Sequence, residues 1–261
     1  MTATATSIWT PKLSGLQDQD IGEDTRGQAT VRACSNLGLI DLKTLNISES
    51  ELGASFDAYY EKFLLYAHRL STLEGRLEPY IMIPMNDPDR FDPVSLFQAF
   101  RKAYQAYDEP WMELWAQYGF SEYNLPQAPF SDEPVARAML IGSEKNAFNE
   151  AGLYLTDMTV EEQVEAGNEK IATFSEDRAG TNLALDYMDP VSYILLTAIR
   201  LEEGKPPLDK RTFTRFIGME PKLVDGYRCV PLADWGDGRL RFGGSVVDSG
   251  WGVHGVRFSV G

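Results

Sequence analysis

The chain is poor in cysteine and histidine, the two residue types that most often bind metals or supply nucleophilic and acid-base chemistry. Its 261 residues include two of each. Cys34 and Cys229 lie far apart in the sequence, so they form no disulfide framework, and such sparse use is typical of a reducing compartment. Neither histidine has a cysteine or a second histidine at metal-ligand spacing. We therefore expect no zinc site.

Long apolar runs are also missing, and basic residues are too few to balance the acidic ones. No run approaches the length of a membrane span, and the N-terminal stretch lacks the basic and apolar regions of a signal peptide. The formal net charge is −15, which would repel the phosphates of a nucleic acid. We therefore expect a cytoplasmic protein, or a virion protein if the source is viral, that binds neither membranes nor nucleic acids.

Motifs for cofactor binding are absent or out of context. The sequence contains no P-loop and no G-x-S-x-G elbow. Residues 250–255 match G-x-G-x-x-G, but a β pattern follows them where a dinucleotide site needs a helix N-terminus. Asp87, Asp89 and Asp92 lie close together without the ligand spacing of a calcium loop. We expect neither a cofactor nor a metal.

Aromatic residues, in contrast, are concentrated in one part of the chain. Residues 56–130 contain 17 of the 30 aromatics. Six of them follow helical spacing and are our candidates for an interaction surface: Phe97, Phe100, Tyr104, Tyr107, Trp111 and Trp115. Such a stripe forms a hydrophobic core, a protein interface or the lining of a small-ligand pocket. All three interpretations are open at this point.

Local patterns divide the first 205 residues into helices separated by short strands. Helical periodicity and capping signals predict helices at residues 49–74, from 92–93 onward, from 159 to about 174, and from 189–190 to 204. Short apolar runs predict strands at residues 80–83, 138–141 and 153–155. Several prolines between residues 121 and 134 indicate a connecting loop.

From residue 208 the pattern changes to β-rich runs broken by glycine. Asp237-Gly238 between two apolar runs predicts a two-residue type I′ hairpin turn. In residues 256–260, apolar side chains alternate with Arg257 and Ser259, which predicts a strand with one buried face. The net charge is +2 from residue 206 onward and −17 before it. We expect the arginines of this block on solvated strand faces; the alternative is a mildly basic patch that meets an acidic partner, or the acidic N-terminal part of the chain itself.

Together these patterns predict an α+β fold with a helical, aromatic-rich N-terminal part and C-terminal helices packed on a small antiparallel sheet. Three regions are expected: an arm or irregular subdomain at residues 1–48, a helical region at 49–125, and an α+β region at 135–261.

We predict a non-catalytic protein-interaction or assembly protein of a cell or virus, which binds a protein partner or itself. The alternative is an enzyme or small-ligand-binding domain whose pocket lies between the aromatic helices and the C-terminal glycine-rich turns. For that alternative the candidate catalytic residues are His254, Asp234 and Arg257. An exposed aromatic patch or strand edge favours the first function, and a deep pocket with converging polar groups favours the second.

Overall fold

The computed structural model describes residues 25–67, 76–82, 93–104, 135–141, 153–177, 183–224 and 226–261. The helices of this part of the chain are α1 (Arg26–Asn36), α2 (Leu42–Leu45), α3 (Glu49–Ala67), α4 (Pro93–Tyr104), α5 (Val160–Asp177) and α6 (Pro190–Glu202). Its strands are β1 (Arg76–Met82), β2 (Val135–Ile141), β3 (Leu185–Tyr187), β4 (Phe213–Arg215), β5 (Lys222–Val224), β6 (Tyr227–Gly236), β7 (Arg239–Val246), β8 (His254–Gly255) and β9 (Phe258–Val260). The predicted α+β class is confirmed.

Helix starts follow the capping signals of the sequence. Thr159 and Glu162 form the predicted reciprocal cap of α5, with the Thr159 amide donating to the Glu162 carboxylate at 2.8 Å. The Asp189 carboxylate accepts the Ser192 amide at 2.8 Å, and Pro190 occupies the first turn of α6. Both predicted helix starts are confirmed. Each cap involves residues only three positions apart, so it can be recognised in the sequence.

The first sheet is antiparallel with the order β1-β2-β9-β3. Strand β9 lies inside it, and Phe258 and Val260 enter a hydrophobic cluster. The predicted strand is present, but the prediction of one buried face is wrong. Ser259 is also buried, and its hydroxyl hydrogen-bonds to Tyr80 on β1 at 2.5 Å. Both faces of β9 are covered because β9 lies between two layers of the protein's own side chains.

The second sheet has the order β5-β6-β4-β8, with β7 paired to β6. All its pairs are antiparallel except β4 and β8. The turn between β6 and β7 has φ of 53° at Asp237 and 77° at Gly238, as the predicted type I′ hairpin requires. Leu240 and Phe242 of β7 are buried, and they alternate with the half-buried Arg239 and Arg241.

The largest hydrophobic cluster joins helices of the N-terminal half to strands of the C-terminal half. It includes Phe56 of α3, Phe100 of α4, Leu195 of α6 and Phe242 of β7. Strand β1 lies within the region predicted as helical, yet it belongs to the sheet that contains β9. The predicted separation into a helical part and a sheet part is therefore not the arrangement seen, because long-range packing mixes the two.

Close helix contact in this core depends on glycine. A Cβ placed on Gly27 of α1 would lie 2.0 Å from the Gly53 carbonyl oxygen of α3. The Gly27 amide also donates to the Asp57 carboxylate at 2.7 Å. Helices α1 and α3 thus approach each other at a distance that excludes any larger residue.

Two further predictions have partial outcomes, and a third concerns residues outside the described part of the chain. The helix predicted at residues 49–74 is described as far as Ala67, and residues 68–75, with His68, lie outside the described part. The strand predicted at residues 153–155 is reduced to one bridge between Tyr154 and Val256. Asp87, Asp89 and Asp92 also lie outside the described residues.

Candidate functional site

The short strand β4 separates two polar networks on opposite faces of the second sheet. Successive side chains of a strand point to opposite faces. Thr214 accepts a hydrogen bond from Arg257 at 2.9 Å on one face. Phe213 and Arg215 both contact His254 on the other face. Strand β4 therefore carries one of the two buried arginines, Arg215, and contacts the other, Arg257, through Thr214.

On the first face, Arg257 is neutralised by a carboxylate. Its Nη2 lies 2.6 Å from Asp209 Oδ1, and neither side chain is exposed. The hydroxyls of Tyr193, Thr212 and Thr214 also donate to Asp209. Burial alone would raise the pKa of Asp209, but the positive charge of Arg257 and these hydrogen bonds hold it below its ordinary value. This Asp209 network is closed, fully buried and suited to a structural role.

On the second face, Arg215 has no charged partner among the described residues. Its side chain is 1% exposed. Its acceptors are Ser245 Oγ at 2.8 Å, the Met158 carbonyl at 2.9 Å, Gln163 Oε1 at 3.3 Å, the Ser249 carbonyl at 2.5 Å, Ser249 Oγ at 2.9 Å and His254 Nδ1 at 3.1 Å. Burial lowers the pKa of Arg215 to about 10, so the guanidinium stays charged at neutral pH.

The contact with Arg215 fixes the protonation state of His254. A guanidinium only donates hydrogen bonds, so Nδ1 of His254 must accept, and the ring proton is on Nε2. Burial and the nearby charge of Arg215 lower the pKa of His254 to about 4. The imidazole is therefore neutral at pH 7 and hydrogen-bonded in one orientation.

An exposed tryptophan lies on this fixed imidazole. The rings of Trp251 and His254 are stacked, with centroids 5.5 Å apart and an interplanar angle of 16°. The Phe213 ring also packs against the imidazole, with centroids 4.9 Å apart and an interplanar angle of 67°. Trp251 itself is 61% exposed. The site therefore presents a large apolar ring to the solvent on a rigid support.

The same contacts make acid-base chemistry at His254 unfavourable. Ser245 Oγ lies 3.4 Å from His254 Nδ1, which resembles a nucleophile beside its base. However, Arg215 already occupies the Nδ1 lone pair, and a pKa near 4 makes the ring a weak base at neutral pH. Ser245 is also 3% exposed, so a substrate has little access to its hydroxyl.

The three candidate catalytic residues lie in three separate networks. His254 belongs with Arg215, and Arg257 belongs with Asp209. Asp234 pairs with Arg241 across the β6–β7 hairpin; burial raises the pKa of Asp234 despite this partner. The expectation that the block's arginines lie on solvated strand faces is wrong for Arg215 and Arg257, because each finds buried acceptors far away in the sequence.

The predicted interaction stripe is only partly described. Phe97 and Phe100 are buried, and Phe97 meets Phe242 edge to face at 4.9 Å. The Tyr104 hydroxyl donates to Glu202 at 2.8 Å. The other three candidates, Tyr107, Trp111 and Trp115, lie outside the described residues, and their interface role stays a prediction.

Sequence reasoning missed Arg215 and Trp251 as members of a site. The available signal was a tryptophan within a glycine-rich turn, where few neighbours can cover it. Two more large apolar side chains, Leu223 and Tyr227, are 74% and 63% exposed on the β5–β6 hairpin. Nothing in the sequence marks these two, because each is typical of a half-buried strand.

A scan against protein-family models, a search of the curated proteins and a search of the solved structures each found no match. Within the described residues, no three His, Cys, Asp or Glu side chains form a group that could hold a metal ion. None of the described helices is both long enough and apolar enough to cross a membrane.

Proposed function

We propose that this chain is a non-catalytic protein-interaction or assembly protein of a cell or virus, and that Trp251 anchors its contact with a partner or a second copy. The observation that carries the proposal is an indole that is 61% exposed yet stacked on a fixed imidazole. Tryptophan is among the residues that most often dominate interface energetics. A side chain ordered before binding also loses less conformational entropy when it binds.

The β5–β6 hairpin supplies further apolar contact area. Leu223 pairs with Arg228 and Val224 pairs with Tyr227 across this hairpin. Leu223 and Tyr227 therefore point to opposite faces, and both are mostly exposed. A hairpin with one exposed large apolar side chain on each face suits contact with another protein.

Charge contributes less to the proposed association than the sequence suggested. Arg257 and Arg241 are paired internally with Asp209 and Asp234, and Arg215 is buried. Three of the eight basic residues of the block are thus removed from the predicted basic patch. We therefore expect apolar contact to dominate, and the association to change little as salt rises.

Light scattering at several protein concentrations tests self-association. We expect the parent chain to exceed its monomer mass of 29.2 kDa, and Trp251→Ala to raise the dissociation constant at least about tenfold. Leu65→Ala is the matched control, because Leu65 is 62% exposed on α3, outside the C-terminal block.

If the parent chain is a monomer at every concentration, self-association is excluded and the partner must be another protein. Quantitative capture from the native source then compares the three chains. Loss of a specific partner in Trp251→Ala alone supports the proposal. Equal capture by all three chains contradicts it.

A further inference from the structure

One guanidinium nitrogen holds both ends of the turn that carries Trp251. Nη2 of Arg215 donates to the Ser249 carbonyl and hydroxyl at one end and to His254 Nδ1 at the other. The turn is closed by the His254 amide, which donates to the Trp251 carbonyl at 2.8 Å. The position of Trp251 thus depends on the lone pair of His254.

Protonation of His254 removes this lone pair. The imidazolium has donors at both ring nitrogens, and arginine has no acceptor. Two positive charges would then face each other over the 3.1 Å that separates Arg215 Nη2 from His254 Nδ1. We infer that protonation of His254 opens the turn between Val247 and β8 and releases Trp251 from its support. The use of this release as a control of binding rests on the proposed function.

Among the described residues, the groups that contact His254 carry no negative charge. Strand β4 contributes Phe213 and the cation Arg215, and β7 contributes the neutral Ser245. The turn itself contributes Trp251.

Two acidic residues belong to the same region. Asp248 is exposed on the turn, and Asp157 lies against Gly252. Neither forms an ion pair with His254 among the described contacts. Burial and Arg215 lower the pKa of His254 from 6.5 to about 4, so the opening develops as the pH falls below neutral.

The surrounding backbone limits the opening to one segment. On one side, the Val247 carbonyl accepts the Val160 amide at 2.9 Å, which ties the chain to α5. On the other side, Val256 exchanges hydrogen bonds with Tyr154. These anchors do not involve His254, so they remain when it is protonated.

Hydrogen exchange of the full chain between pH 7.5 and pH 4 measures this opening directly. After correction for the intrinsic exchange rate, protection of the Ser249 and His254 amides, which donate to the Val246 and Trp251 carbonyls, is expected to fall roughly tenfold to hundredfold on protonation of His254. The amides of Val160 and Val256, which form the two anchors, should keep their protection. In His254→Gln this decrease in amide protection should be absent, because the glutamine side-chain oxygen still accepts a hydrogen bond from Arg215 and does not titrate. His68→Gln, at the chain's other histidine, should retain it.

The inference is overturned if amide protection does not decrease in the parent chain. It is also overturned if protection decreases equally in His254→Gln. If His254→Gln does not fold, nitrogen NMR of the parent chain provides the second measurement, with His68→Gln to assign the two rings. A His254 midpoint that coincides with the exchange midpoint supports the inference, and separate midpoints overturn it. Neither measurement needs a partner, so their failure is distinct from failure of Trp251→Ala to alter association at pH 7.5.

Discussion

The two buried arginines of the C-terminal block show two different ways to keep a charge out of water. Arg257 and Arg215 are each 1% exposed; Arg215 belongs to β4, and Arg257 donates to Thr214 of the same strand. Arg257 faces the buried carboxylate of Asp209, whereas Arg215 faces carbonyls, hydroxyls, an amide and an imidazole. Compensation by a full charge produces a closed network inside the protein. The charge of Arg215 is compensated by dipoles alone, and its network reaches the solvent at Trp251 and changes when His254 is protonated.

This difference predicts how each network fails. Removing one member of a buried ion pair leaves a charge that the interior cannot solvate. Removing a buried cation that has only neutral partners leaves several unpaired acceptors, and it also ends the desolvation cost of the charge itself. The first loss should therefore be larger than the second.

The largest expected effect is that of Asp209→Ala. This change leaves Arg257 buried without its carboxylate and should lower the free energy of unfolding by about 3–5 kcal/mol. Urea denaturation measures it, with Asp248→Ala at an exposed aspartate as the control. A loss close to that of the control would mean that Asp209 does not neutralise Arg257. If the variant does not fold, the double change Asp209→Asn with Arg257→Met should restore folding.

A smaller effect is expected for Arg215→Met. The unpaired acceptors at Ser249, Met158 and Gln163 cost about 1–3 kcal/mol, and the removed charge offsets part of that. The same urea experiment on Arg257→Met should show a larger loss, because Asp209 is then buried as an unpaired anion. Equal losses in the two methionine variants would remove the distinction between the networks.

The pH dependence of stability should separate the two networks further. The unfolded chain takes up a proton at His254 near pH 6.5, whereas the folded chain takes it up only near pH 4. Stability is therefore complete above pH 6.5 and falls as the pH drops toward 4, by on the order of 1–2 kcal/mol for a half-buried ring. The pKa of Asp209 is lowered in the folded state, so its contribution persists in this window and is lost only at more acidic pH.

Urea titrations of the parent, His254→Gln and His68→Gln at pH 7.5, 6, 5 and 4.5 test this pH window. The acid-sensitive component should be absent from His254→Gln alone. An identical pH profile in all three chains would show that His254 does not carry it.

The smallest effect on stability is expected for Trp251→Ala. A mostly exposed side chain changes the free energy of unfolding by about 0.5 kcal/mol or less. Trp235→Ala is the contrasting variant, because Trp235 packs edge to face on Phe100 at 6.5 Å and borders the main core. Its loss should be several times larger. A large loss in Trp251→Ala would make Trp251 a structural residue and weaken its assignment to an interface.

Features that depend on neighbouring residues were predictable from the sequence. The caps at Thr159 and Asp189 and the turn at Asp237-Gly238 each involve residues at most three positions apart. The alternation in residues 256–260 predicted a strand but not its surroundings. Arg257 meets Asp209 at a separation of 48 residues, and Ser259 meets Tyr80 at 179. The alternation of apolar and polar residues along a strand does not specify contacts with residues so far away in the sequence. The second face of β9 was therefore wrongly assigned to solvent.

The candidate site shows the same limit. His254 and its glycine-rich turn were recognisable, whereas Arg215, which lies 39 residues earlier, was not recognisable as its partner. Asp234 was a reasonable companion for His254 by charge alone, yet β7 supplies Arg241 much closer to it. The way in which strands pair decides which side chains become partners. The sequence predicted strands but not their order in the sheet, so these partners could not be predicted.

The position of β9 between β2 and β3 has a consequence for the kinetics of folding. Until residues 258–260 dock, β2 and β3 share no neighbour, and each presents an open strand edge. Residues 258–260 lie far along the chain from both β2 and β3. Contacts between such distant residues cost loop-closure entropy before they add stability, so they form slowly. Docking of β9 should therefore be a late step in refolding. Partly folded chains in which β9 has not docked expose unpaired strand edges, which can pair between molecules. The refolding yield should therefore fall as the protein concentration rises.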